Sequence, residues 1–326
     1  MYNVSITEKK ERKNMDKKLY NRGIIGHGWY NFTEALVYGL VGRPTPGNLI
    51  YESKIKYGKD KLEYINTYCK IGLKDEKKPL FIYIHGGGWI SGITEMRNRY
   101  TELWAQKGYF TASISYSYAP KKIFPEPIQQ CFSAVDFICD HAEEWKLDLS
   151  NVVIAGESAG GYYISHVASA IADFKLYEKH GLAFRNRDKL KIKALISLSG
   201  CYNFQRLTDE NKNQSRFPDM KMMARSFFGM ETAELKEWLK TEEAELASPN
   251  ITKDFPPVYM AWATRDFLRY EAFDMAKDLK EFNIPYRLFK VDDISAQHAW
   301  TTVPIFKKSR ECFEDAYKFA EKYITE

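Results

Sequence analysis

Cysteine is sparse in this chain of 326 residues: Cys69, Cys131, Cys139, Cys201 and Cys312 lie far apart. None forms a C-x-x-C pair, and no histidine stands at a zinc-ligand interval from them, so a disulfide framework and a structural zinc site are both excluded. Isolated thiols in a reducing compartment are the expectation, with no metal and no cofactor. A dominant charge is missing as well. With 48 basic against 43 acidic side chains the formal net charge is +5, and the lysines are spread along the chain instead of forming a basic stripe interleaved with aromatics. No nucleic-acid partner is expected. Long apolar runs are absent too: nothing approaches the roughly 20 uncharged residues that cross a bilayer, so no membrane attachment is expected. The first residues, MYNVSITEKKERKNMDKK, lack the apolar stretch of a secretory signal, and a cytoplasmic location is the corresponding expectation. Residues 1–20 are polar and charge-mixed and are expected to be a flexible leader, with Met15 a candidate natural start. No repeat or low-complexity tract divides the chain, so 1–326 reads as a single domain.

What is present is enough apolar material for one large core: 44% of residues are hydrophobic and 15% aromatic. Trp29 to Gly42 carries apolar residues at near-helical spacing before the breaker Pro44 to Asn48, which predicts a short amphipathic helix and a turn. From Leu49 the pattern changes. LIYESKIKYG and LEYINTYC alternate about Lys59-Asp60-Lys61, a hairpin signal. Six short apolar runs follow, at 80–84, 111–116, 152–155, 194–198, 258–263 and 286–291, alternating with helical stretches near 95–107, 128–145, 159–174, 271–282 and 307–323. Near-continuous apolar strands alternating with helices predict an α/β fold: an eight-stranded, mostly parallel sheet with helices on both faces. The segment between Ser199 and Val258 breaks this rhythm. It contains MKMMARSFFGM and the charged TAELKEWLKTEEAEL, so 202–247, together with 20–48, is expected to supply a small helical cap. Open α/β sheets place ligands at the carboxyl ends of their strands, where such a cap would lie.

The chemistry concentrates in two segments. After the strand NVVIA comes Gly156-Glu157-Ser158-Ala159-Gly160-Gly161, opening a helix. In G-x-S-x-G the turn is so tight that small residues must stand two before and two after the serine. It lifts Ser158 Oγ above the sheet, beside a helix N-terminus where the N–H of Ala159 has no intrahelical partner. Earlier, His85-Gly86-Gly87-Gly88-Trp89 follows LFIYI. Three glycines after a buried strand are costly for order, and they fit a backbone that runs close to a substrate with N–H groups turned toward a developing oxyanion. This pairing of glycine loop and serine elbow is that of lipases and esterases.

Serine needs a base. His85 lies in the glycine loop and His166 in the helix after the elbow, while His27, His141 and His180 lie in the leader or on charged stretches. His298, in the loop after the last strand, remains. The acid is expected at the end of the preceding strand, where VYMAWATRD ends in Asp266; Asp292 and Asp293 are rivals on the loop of His298 itself. The order Ser158, Asp266, His298 is that of α/β hydrolases.

From about residue 50 onward the chain resembles the hormone-sensitive-lipase-like branch of the α/β hydrolases. Besides HGGGW and GESAGG it carries Tyr116-Ser117-Tyr118-Ala119-Pro120, then Phe124-Pro125, similar to the family's Y-x-L-A-P and F-P, and Asp266-Phe267-Leu268-Arg269-Tyr270-Glu271, similar to its D-P-L-x-D-E. Ser248-Pro249 precedes that strand as in the family. Glu157 stands where Asp is more usual, Phe267 where Pro is common and Tyr118 for Leu. The resemblance implies an oxyanion hole formed by the N–H groups of Gly87, Gly88 and Ala159. It also implies hydrolysis of small-molecule carboxylic esters, short-acyl ones in particular, by a carboxylesterase-type serine hydrolase. An arylformamidase or other amidase would use the same triad, and a non-catalytic hydrolase fold that binds a ligand is the alternative from another class. Trp89 and Trp300 flank the inferred site as candidate substrate contacts. The sequence leaves monomer and homodimer both open.

Overall fold

A computed structural model describes residues 45–208, 220–293 and 296–324. The predicted helix at 29–42, the leader and the first part of the expected cap lie outside these residues.

The alternating segments at the start form β1 (Leu49–Lys56) and β2 (Tyr64–Lys70), paired antiparallel, with a register irregularity between Glu52 and Ile55. There Lys54 takes a positive φ of 56° and gives its N–H to Asn66 Oδ1 at 2.8 Å. The apolar runs become β3 (Lys78–Ile84), β4 (Phe110–Ser115), β5 (Leu147–Glu157), β6 (Ile192–Leu198), β7 (Val258–Ala263) and β8 (Tyr286–Val291). The sheet order is β1-β2-β4-β3-β5-β6-β7-β8, with β2 antiparallel to β4 and every later pair parallel.

Because side chains alternate along a strand, each buried strand feeds two cores. Leu80, Ile82, Val152, Ile154, Leu195 and Met260 point to one face, and Phe81, Tyr83, Val153, Ala155, Ile196 and Tyr259 to the other. The second face is covered by α1 (Asn98–Gln106) and the carboxyl-terminal helix Lys307–Ile324, through Trp104, Phe313 and Phe319. The first is covered by α2 (Glu126–Asp140), α3 (Ala159–Ala172), the short α4 (Lys175–Lys179) and the helix Arg269–Glu281.

Between β6 and β7 lie α5 (Phe204–Thr208), α6 (Met220–Phe228) and α7 (Thr232–Trp238). They do not form a separate core. Phe204 and Phe227 stack on Trp89 with ring centroids at 4.7 and 5.6 Å, and Phe124 meets Phe228 and Trp238 at 5.0 and 5.8 Å. The main chain joins in, Phe124 N–H donating to Phe227 O at 2.8 Å. Numbered in order, α8 is Arg269–Glu281 and α9 is Lys307–Ile324. No helix of the described residues is long and apolar enough to cross a membrane.

Candidate active site

At the end of β5 the chain turns abruptly. Ser158 has φ 54° and ψ −121°, a conformation that L-residues seldom adopt. The turn is held by Ser158 N–H donating to Leu198 O at 3.0 Å, and by Ser158 O accepting from Gly161 at 3.0 Å and Cys201 at 3.2 Å. Glycine at 156 and 160 is a steric requirement. A Cβ on Gly156 would lie 2.6 Å from the Gly160 carbonyl, and one on Gly160 would lie 2.9 Å from the His85 carbonyl carbon. The elbow and the end of β3 are therefore in backbone contact, which brings the glycine loop to the serine.

That loop runs through Gly87 (φ 124°), Gly88 (φ 60°) and Trp89 (φ 63°). Gly87 O accepts from Ile90 N–H, Ser91 N–H and Ser91 Oγ at 3.2, 3.0 and 2.9 Å, which closes a tight turn. Among the described residues, the N–H groups of Gly87, Gly88 and Ala159 donate to no main-chain acceptor. A side chain on Gly88 would meet Met223 Cε at 2.7 Å, so α6 sits directly over the loop.

The third component comes from the far side of the sheet. His298 Nδ1 lies 2.9 Å from Asp266 Oδ1, the imidazole being about a fifth exposed and the carboxylate fully buried. Leu268 N–H donates to the same Oδ1 at 2.9 Å. Burial by itself would raise the Asp266 pKa, but the neighbouring His298 ring, the bond it makes and the Leu268 N–H hold the carboxyl below its ordinary range. Phe267 packs its ring on His298 at 4.4 Å. Of the rivals, Asp292 lies toward Lys290 Nζ at 4.0 Å, and the main-chain carbonyl of Asp293 receives the Ala296 N–H at 3.0 Å. Of the other histidines, His85 is buried against Tyr116, His166 Nδ1 meets Tyr177 OH at 3.0 Å and His180 Nε2 meets Glu245 at 3.1 Å. His27 lies outside the described residues.

Trp89 and Trp300, expected as substrate contacts, are placed inside packed clusters. Trp89 is fully enclosed by Tyr162, Phe204 and Phe227, and Trp300 is buried beside Phe289 in the opposite core. Both rings are thus in contact with other side chains of the fold. Two carboxylates near the site were not assigned a role from sequence. Glu157 is buried and accepts from Tyr83 OH at 2.5 Å and Arg97 Nε at 2.6 Å. Glu271, also buried, accepts from the N–H groups of Tyr202 and Asn203 at 2.7 and 2.9 Å. Glu157 stood out only as a departure from Asp and Glu271 only as part of a similar stretch; neither carries a local signal that names its partners. All five cysteines are buried and free of disulfides.

Similarities to known proteins, in sequence and in structure, bear on this geometry. The model of the BD-FAE family matches residues 68–270, well over half of the chain. An esterase of Gibberella moniliformis is 29% identical over 136 residues, covering 41% of this chain and 42% of that protein. An arylesterase of Saccharolobus solfataricus is 28% identical over 171 residues, covering 51% and 55%. The chain thus spans about half or less of the length of the curated relatives it matches, down to 25% for another. Over the whole chain the fold is that of esterase B from Lactobacillus rhamnosis, with TM-score 0.79, 16% identity and coverage of 95% and 96%. At that identity the likeness speaks for the fold alone.

Proposed function

The chain belongs to the BD-FAE family, an α/β-hydrolase family, and from that premise we propose that it is a serine esterase acting on small-molecule carboxylic esters through an acyl-enzyme. The observation that carries this reading is the contact of Asp266 with His298 at 2.9 Å, made by a carboxylate held in its charged form. A charged Asp266 accepts from Nδ1–H and leaves Nε2 as the basic nitrogen. His298 then takes the Ser158 proton as Oγ attacks the ester carbonyl. The oxyanion that forms is met by the N–H groups of Gly87, Gly88 and Ala159; losing one such donor costs on the order of 10²–10³ in rate. His298 passes its proton to the leaving alcohol and next activates water, which releases the acid and restores Ser158. Asp266 stays ionised throughout and stabilises the imidazolium. The catalytic unit is one domain, and the helices α5–α7 form its cap. Met223 of that cap lies close to Gly88 of the glycine loop. Buried thiols without disulfides suit a reducing, cytoplasmic setting.

The test is hydrolysis of p-nitrophenyl acetate by the wild type and Ser158→Ala, with circular dichroism to show that both are folded. Activity is expected only in the wild type, and a variant near wild-type rate overturns the assignment. A panel pairing each ester with its amide separates an esterase from an amidase. Absence of fluorophosphonate labelling at Ser158 would instead favour a ligand-binding protein. A series of acyl lengths is expected to peak at acetate or butyrate.

A further inference from the structure

We propose that Arg97 and Glu157 form a positioning clamp that holds the glycine loop in register with Ser158. The proposal rests on the esterase reading only for its effect on rate. Residues 85–97 leave β3, pass beside the nucleophile and end in a single 3₁₀ turn, Thr94–Arg97, before α1. Gly87 and Gly88 take positive φ freely, but Trp89 at φ 63° holds a conformation that a bulky residue adopts only when its surroundings impose it. At the near end, Tyr116 OH donates to His85 O at 2.8 Å and the two rings stack at 4.5 Å. In the middle, Ala119 N–H donates to Trp89 O at 2.9 Å. At the far end the tie is ionic: Arg97 Nε donates to Glu157 Oε1 at 2.6 Å, with Arg97 15% and Glu157 1% exposed.

Glu157 is the residue immediately before the nucleophile. Its second oxygen accepts from Tyr83 OH at 2.5 Å, so both oxygens are engaged and the carboxylate is fixed. The same side chain lies against the loop it anchors. A Cβ on Gly86 would stand 3.3 Å from Glu157 Cδ, 3.1 Å from Ser158 Cβ and 2.5 Å from Glu157 O. The carboxylate, the first glycine of the loop and the nucleophile thus meet at one point, and Arg97 draws the far end of the loop onto it. Glutamate in place of the more usual aspartate supplies the extra methylene of reach. Arg97 is argued to act through Glu157, so both are positioning residues. Displacements of about 1 Å at such a site cost on the order of 10²-fold in rate.

The experiment compares wild type, Arg97→Met, Glu157→Gln, the double variant and Arg97→Lys. Steady-state kinetics on p-nitrophenyl acetate are read together with hydrogen exchange at the backbone amides. Arg97→Met is expected to lose roughly 10–100-fold in kcat with KM within about threefold. Exchange should accelerate within residues 86–97 and stay at wild-type rates in α3 and β6. The double variant should be no slower than the slower single variant, since both act through one contact, and Arg97→Lys should recover part of the loss. Wild-type kcat with unchanged exchange in Arg97→Met overturns the clamp. So do losses that multiply in the double variant, or exchange that rises throughout the molecule. Should Arg97→Met not fold, Glu157→Gln carries the same exchange readout. A wild type inert toward esters would remove the esterase reading alone, and the exchange measurement would still decide the clamp.

Discussion

A carboxylate with no exposed surface keeps its charge only where donors surround it. At Asp266, His298 Nδ1–H and Leu268 N–H both reach Oδ1 at 2.9 Å, and the Ser199 hydroxyl also favours the charged form. Asp266→Asn preserves the shape but offers His298 a neutral partner that no longer favours the tautomer with a free Nε2. The expected result is a fall in kcat on the order of 10³–10⁴ with little change in melting temperature. Steady-state kinetics beside thermal denaturation check it, and a loss below about tenfold would argue for another acid. Residue-level legibility was uneven for a physical reason. Ser158 sits in a turn whose steric demands are written into its neighbours, and Asp266 and His298 follow from chain order. The burial of Trp89 and Trp300 could not be read from sequence, because it is decided by partners remote in the chain, such as Phe204 and Phe227 for Trp89. Arg97 showed nothing locally of its tie to Glu157.

Elements are joined by side chains that satisfy each other's main-chain ends. Glu271, in the first turn of α8, accepts the N–H groups of Tyr202 and Asn203, which lead from β6 into the cap. Burial pushes its pKa up to about 7, against the pull of those two N–H groups and of Arg206. Glu271→Ala leaves both N–H groups without their acceptor, and a loss of roughly 3 kcal/mol is expected at about 1–3 kcal/mol per stranded donor. Urea denaturation with an unchanged m-value measures it; a loss under about 1 kcal/mol would mean that water replaces the carboxylate. Strands and long helices were readable because their apolar period is local. Strand order was not. The placement of β4 between β2 and β3 is set by crossover connections that leave no trace in local pattern, and the bulge at Lys54 depends on Asn66 across the hairpin.

For the molecule as a whole, the core on the α3 face encloses an ionisable ring. His166 is fully buried, and burial depresses its pKa to about 3. An unfolded histidine titrates near 6.5. Between those values the unfolded chain binds a proton that the folded one refuses, so stability declines as the pH falls from about 6.5 toward 3. His166→Asn retains an acceptor for Tyr177 OH and removes the titration. Relative to wild type, the variant should gain ground steadily from pH 7 to pH 4.5 in urea melts, and parallel profiles would refute the argument.

The position of the elbow at the middle of the sheet also matters during synthesis. Ser158, Ala159 and the glycine loop lie on β3 to β6 and the turns that leave them, whereas Asp266 follows β7 and His298 follows β8. On the proposed triad, a chain made only as far as β6 carries the nucleophile without its base. Such a chain is expected to be chemically silent, its serine lacking a base until β7 and β8 are made. On the same reading, recovery of turnover during refolding is expected to follow the docking of β7 and β8, and turnover that returns in step with the first helix and sheet signal would refute that order.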